Sequence, residues 1–329
     1  MEGGTGKTYL INLILAKVRL QGDIALATAS SGIAATLLAG GRTAHSTFRL
    51  PLDLVVNETP TCSIGKNTNE GGLMKAAQLI VIDECSMLHK RAFEAIDRML
   101  QDLRDCERVF GGVTMLIAGD FRQCLPVVPS GTSADQLYAC LKASYLWRCV
   151  QVKFDYSLKV LDGYTYLIII FQVLKLCTNM RARTTGDTDS TRFASWLLEV
   201  GNGNLPHDGP DQIVQVSDNF GTCTPNMDIL KKSVYPNLND NLSDITWLRD
   251  RAILAPKNSV VDTINVSLLN EMEGQARTYL SVDTVCDQDE AVNFPTDFLN
   301  NLTLSGLPPH KLDLKIGTPV MLLRNLGTY

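Results

Sequence analysis

The hexapeptide Gly-Gly-Thr-Gly-Lys-Thr at residues 3–8 runs straight into the apolar stretch Tyr9–Leu20, and no other feature restricts the fold as much. Glycines lack a Cβ, so consecutive backbone N–H groups can turn inward. A following helix N-terminus adds its own unpaired donors, and the two together cradle phosphate. In such a cradle Gly3, Gly4, Thr5 and Gly6 wrap a nucleotide, Lys7 reaches the terminal phosphates as a point charge, and the Thr8 hydroxyl holds Mg²⁺. The pattern is one glycine short, because Met1 stands where GxxxxGK[ST] has its first glycine. Taken alone, the hexapeptide also fits a flexible turn.

Two β-branched runs alter that balance. QLIVIDE (78–84) and VTMLIAGD (113–120) read as buried strands, as does IALATAS (24–30), and helical stretches alternate with them. RAFEAIDRMLQDLRD (91–105) is the clearest helix, with Phe93, Ile96, Leu100 and Leu103 on one face. Such alternation implies a parallel sheet flanked by helices. Asp83, Glu84, Asp120 and Gln123 all lie just beyond the last apolar residue of a strand, the edge where open α/β sheets bind ligands. A carboxylate pair closing a strand is by itself a solvated strand end. About 75 residues after a phosphate loop it reads as the other half of an ATPase site. Asp83 would then hold the metal, Glu84 would orient or deprotonate water, and Gln123 would bridge the γ-phosphate to the far side of the cleft.

The 329 residues suffice for two domains, and 45% hydrophobic with 20% charged is ordinary globular composition. A net charge of -5 provides no overall basic field, so nucleic acid must be met by a local groove. TAHSTF (43–48) supplies one candidate: the hydroxyls of Thr43 and Ser46, the His45 imidazole and the Phe48 ring for a single strand to bond and stack upon. The nine cysteines form no CxxC pair, which argues against structural zinc. Neither a signal peptide nor an apolar run of about 18 residues is visible, so no membrane partner is expected.

Seven stretches in order (GGTGKTYL, SSGIAATLLAGGRTAHSTF, LIVIDECSML, LIAGDFRQCLPVVP, LKLCTNMRA, RAILAPKN and IGTPVMLLRNL) resemble superfamily-one DNA helicases of the Pif type, petite integration frequency, in their Helitron-like branch. The resemblance implies a P-loop NTPase, RecA-like domain over residues 1–178, and an incomplete second α/β domain over 179–329. It implies ATP and Mg²⁺ as cofactors, with single-stranded DNA and duplex junctions as partners. The activity it implies is five-prime-to-three-prime translocation in repair, recombination and telomere maintenance, in the nucleus. Lys7 and Thr8 become the phosphate and metal residues, Asp83 and Glu84 the acidic pair, Gln123 the sensor, and Arg181 an arginine finger from the second domain.

Three departures qualify it. The family places a strand before the loop; without it a sheet neighbour is expected to expose unpaired backbone groups. The family also continues beyond VMLLRNL (320–326). Finally, 21 residues (152–172) stand between LWRCVQ and VLKLCTNMR, where the family has none. Val152-Lys153 can be encoded as a splice donor and Ile168–Gln172 as an acceptor, so a retained intron is expected, with a genuine surface insertion as the alternative. A chain of this extent is expected to hold nucleotide weakly and to unwind little. The competing reading is a catalytically impaired, transposon-derived remnant that binds single-stranded DNA. A P-loop ATPase acting on proteins is disfavoured by TAHSTF and GDFRQCLPVVP.

Overall fold

The computed structural model describes residues 4–51, 54, 57–128, 131–151, 165–169, 172–176, 178–185, 188–205, 207–208, 213–214, 221–255, 257–284, 295–301 and 309–320. The chain divides into two compact units, Met1–Gln215 and Val216–Tyr329.

In the first unit, β1 (Ile24–Ala29), β2 (Arg42–Thr43), β3 (Ala77–Asp83) and β4 (Thr114–Asp120) pair in parallel in the order β2-β1-β3-β4. Both faces of β3 are covered, so its sequence is almost continuously apolar. Ile80 and Ile82 enter one core with Met115 and Ile117, while Leu79 and Val81 enter the other with Leu116 and Ala118. Two helices close these cores on opposite faces. α1 (Lys7–Leu20) buries Ile11 and Leu15 in the second core. The short α2 (Gly32–Thr36), α3 (Ala44–Phe48) and α4 (Asn69–Ala76) follow, and then α5 (Lys90–Leu103). Phe93, Ile96, Leu100 and Leu103 of α5 are buried in the first core, as their spacing predicts. α6 (Ser133–Ala139), α7 (Tyr145–Gln151), α8 (Met180–Thr185), α9 (Thr188–Asn202) and the two-residue strands β7 (His207–Asp208) and β8 (Ile213–Val214) complete the unit.

The far edge of β4 departs from expectation. It is not left unpaired: β5 (Thr165–Ile169) runs antiparallel along it, from Leu116↔Ile169 to Asp120↔Thr165, and β6 (Gln172–Leu176) pairs with β5 in turn. Thus part of the 152–172 insertion is a ladder strand. An open edge carries a row of unsatisfied N–H and C=O groups, and a β-branched run is the residue type that closes it. Residues 152–164, 170 and 171 lie outside the described residues.

α5 begins with an uncommon cap. His89 Nδ1 accepts the Arg91 N–H at 3.1 Å. Burial, with the neighbouring Arg91 and Lys90 charges, pushes the imidazole down from its ordinary 6.5 to about 4. The folded state therefore favours the neutral ring. Its stabilisation is complete above pH 6.5 and is lost as pH falls toward 4, where protonation removes the acceptor. The thermal midpoint should fall more steeply across that window in wild type than in His89→Asn, which keeps a cap but does not titrate. Identical slopes in a pH series of melts would refute the cap assignment.

The second unit contains α10 (Met227–Val234), α11 (Leu238–Asn241), α12 (Ile245–Arg249), α13 (Asn258–Glu271), β9 (Arg277–Leu280), α14 (Thr296–Asn300) and β10 (Lys311–Leu314), with β9 and β10 antiparallel. Lys231 is buried here against Glu271 at 2.7 Å and Asp228 at 3.0 Å, a paired charge of the kind interiors tolerate. Among the described residues, 251–255 and 316–320 join no ladder.

Candidate nucleotide site

Gly4 and Gly6 adopt φ of 107° and 80°, a region open to glycine, so the loop can turn sharply into α1. Gly6 precedes α1 in a left-handed conformation, and the first turn of α1 carries no acidic side chain to oppose an anion at its N-terminus. Thr5 is buried within the loop. Gly3 lies outside the described residues.

The register Ala29↔Asp83 and Ile82↔Ile117 aligns the carboxyl ends of β1, β3 and β4 at one edge, and α1 brings Lys7 to that edge. Lys7 Nζ sits 2.7 Å from Asp83 Oδ1 and also contacts Glu84 Oε1. Burial alone would lower the Lys7 pKa; the two carboxylates outweigh it and raise the pKa above its ordinary value. Lys7 is therefore a fixed cation, and the 77 residues separating it from Glu84 are closed by the fold. Glu84 stands in a left-handed conformation, φ 53° and ψ 43°, its N–H donating to Asp83 Oδ1 at 2.8 Å. Its second oxygen, Oε2, is buried without a hydrogen-bond partner. Buried acceptors are almost always paired, so this oxygen has the capacity to accept one more hydrogen bond.

The donors suit magnesium in one respect. No group of three or more His, Cys, Asp or Glu gathers among the described residues, so no all-protein cage exists there. Magnesium is ordinarily held by one or two protein oxygens together with substrate phosphates and water. The Thr8 hydroxyl and the Asp83 carboxylate offer such a pair.

Gln123 lies just beyond β4 on the same edge. Its N–H donates to Asp120 O at 3.0 Å and its amide to Asp120 Oδ2 at 3.4 Å. Arg122, which on sequence alone could be a surface arginine, is instead buried, with Nε 3.3 Å from Asp120 Oδ1. Arg181 falls in the first compact unit, Met1–Gln215. Its N–H donates to Gly4 O at 3.0 Å, at the start of α8, and its side chain is exposed. Asn179, which the sequence reading passed over, holds this junction. Its Oδ1 accepts the Ala182 N–H at 3.0 Å and lies 2.9 Å from where a Gly4 Cβ would stand. An Asn directly before a helix is the signal that marks it.

TAHSTF separates into two roles. Thr43 caps α3, its Oγ1 accepting the Ser46 N–H at 3.2 Å, and His45 and Ser46 are exposed beside the edge strand β2. Phe48 is wholly buried in the first core, so it is not a platform for bases. A short helix has an inner and an outer face, and burying the ring outweighs leaving it in water.

Among the described residues no helix is long and apolar enough to cross a membrane. A family profile described as PIF1-like helicase matches residues 2–210, and one described as DNA helicase Pif1, 2B domain, matches residues 297–328. The ATP-dependent DNA helicase PIF1 of Candida albicans is 26% identical over 330 residues, covering 98% of this chain and 30% of that protein. PIF4 of Trypanosoma brucei brucei is 35% identical over 136 residues, 40% of this chain and 16% of that protein. The chain therefore spans well under half the length of these curated relatives. The crystal structure of the Candida albicans Pif1 helicase superposes with a TM-score of 0.54 at 22% identity, over 95% of this chain and 58% of that one. A Bacteroides Pif1 helicase in complex with ADP-AlF3 and ssDNA gives 0.52 at 21%, over 86% and 55%. With a family profile matching well over half its length, onto a sheet whose carboxyl edge gathers Lys7, Asp83 and Glu84, this chain belongs to the PIF1-like helicase family.

Proposed function

We propose that the chain is the ATP-hydrolysing portion of a five-prime-to-three-prime DNA helicase and couples ATP turnover to movement along single-stranded DNA. The observation that carries this reading is Lys7 lodged between Asp83 and Glu84 beside a glycine turn and a helix N-terminus. Lysine held by carboxylates is a resting arrangement. An arriving triphosphate offers stronger negative charge, and Lys7 transfers to its terminal oxygens. That frees Glu84 to accept a proton from, or orient, the attacking water. Gln123 reports the γ-phosphate, and the exposed Arg181 guanidinium supplies a fork for transition-state charge. Magnesium, when bound, draws charge from the phosphate oxygens, and Thr8 with Asp83 would hold it.

The DNA strand belongs along the half-buried Thr43 and the exposed His45 and Ser46. Nuclear residence and work in repair, recombination and telomere maintenance follow from the family. The Bacteroides relative was crystallised with ssDNA, which supports the choice of partner. The test is phosphate release from ATP by the full chain, with and without a single-stranded oligonucleotide. A rate that rises with the strand is expected. Salt-sensitive strand binding indifferent to ATP, with no turnover, would overturn this reading in favour of a binding remnant.

A further inference from the structure

Glu84 is the first residue of a turn that has few anchors. Its N–H bonds to Asp83 Oδ1, Met87 N–H to Glu84 O at 3.1 Å and Leu88 N–H to Cys85 O at 3.2 Å, all within six residues. Ser86, fully buried at the centre of the turn, has a hydroxyl without a hydrogen-bond partner. Beyond the Lys7 contact with Glu84, the turn is placed by packing, and part of that packing is against a glycine. Gly119, the penultimate residue of β4, lies directly beneath. A Cβ built there would stand 2.6 Å from Cys85 Sγ and 3.1 Å from the backbone nitrogens of both Cys85 and Ser86. Real side chains do not tolerate the first distance, and backbone nitrogens cannot rotate away from the others. Cys85 is completely buried in the first core, and burial holds its thiol protonated, so it acts as a small apolar wedge rather than a nucleophile.

We infer that Gly119 and Cys85 form a positioning pair for Glu84: the missing side chain at 119 lets the Cys85 turn rest on β4, and that contact sets where the Glu84 carboxylate stands relative to Lys7. Glycine within a strand weakens it, and its use commonly marks close approach of another backbone. Here that approach also holds Glu84 in its left-handed conformation, which an ordinary residue leaves when nothing constrains it. Neither Gly119 nor Cys85 touches substrate; both act through Glu84. The inference rests on the reading of Glu84 as the residue that handles water.

Two measurements on the full chain test it. The first needs no turnover. Alkylation followed residue by residue in a mass spectrometer should find Cys85 protected in wild type and readily labelled in Gly119→Ala. Cys62, half-buried in the same unit, should keep its wild-type rate. Cys85 remaining protected, or both thiols opening together, overturns the inference. The second is steady-state ATP hydrolysis. Gly119→Ala should lower kcat by about 10- to 100-fold, the scale of a roughly 1 Å displacement, and leave KM for ATP within about twofold. Cys85→Ala placed on Gly119→Ala removes the worst contact and should recover much of the lost kcat, whereas a loss through Gln123 at the strand tip would not be rescued. A KM that rises in step with the fall in kcat, or a double variant no better than the single one, defeats the proposal. Absence of turnover in wild type would count against the hydrolytic reading above; the labelling result stands apart from it.

Discussion

Lys7→Ala should lower ATP turnover by roughly 10²–10³-fold, the loss typical when one preorganised donor to a developing charge is removed. Two effects add. The first is loss of the point charge that, in the proposed function, meets the terminal phosphates. The second is already visible without nucleotide: Lys7 Nζ bridges Asp83 and Glu84, and its removal leaves two carboxylates facing each other in a largely buried place. With no cation between them the two carboxylates repel, and the Glu84 side chain shifts from where the lysine held it. Binding of a fluorescent ATP analogue should weaken together with turnover, and phosphate release measures the latter. Hydrolysis persisting within about tenfold of wild type would remove the glycine turn from the site.

Glu84→Gln separates binding from chemistry. The amide keeps the size of the side chain and can still accept from Lys7 through its oxygen, so the loop and the Asp83 ion pair stay in place. What disappears is the proton acceptor, and general bases contribute about 10²–10⁴-fold to rate. The expected protein binds ATP with near wild-type affinity and holds it unhydrolysed. Rapid-quench analysis of bound nucleotide shows this directly, as a mixture dominated by ATP rather than ADP. If the variant hydrolyses at the wild-type rate, Glu84 has only a structural role and water is activated elsewhere.

The parts of this site were legible in the sequence to different degrees, and the reason is distance along the chain. A phosphate turn is local. Gly4 and Gly6 must adopt positive φ, and Lys7 must begin a helix, so six consecutive residues announce it. The strands announced themselves through β-branched runs, and the spacing of Phe93, Ile96, Leu100 and Leu103 showed which side of α5 would be buried. Asp83 and Glu84 were readable only together with the phosphate turn upstream, since a polar pair ending an apolar run is otherwise a solvated strand end. Phe48 was not, since an aromatic between hydroxyls can face either way on a short helix. Arg181 stands in a motif that carries the family resemblance, but the backbone hydrogen bond that ties it to Gly4 is encoded by no local pattern. Gly119 showed only as a glycine within a strand.

By itself, then, the sequence determined the turn, the acidic strand tip, the α/β alternation and the family, because each depends on torsional preference or hydrophobic period within a few neighbouring residues. The tertiary structure alone decided that Lys7 rests on both carboxylates, that part of the 152–172 insertion closes the edge of β4, and that Cys85 lies against Gly119. Those outcomes join residues tens of positions apart. They are fixed by which backbone edges and apolar faces must be covered once the chain has closed on itself, a condition that no short window of residues contains.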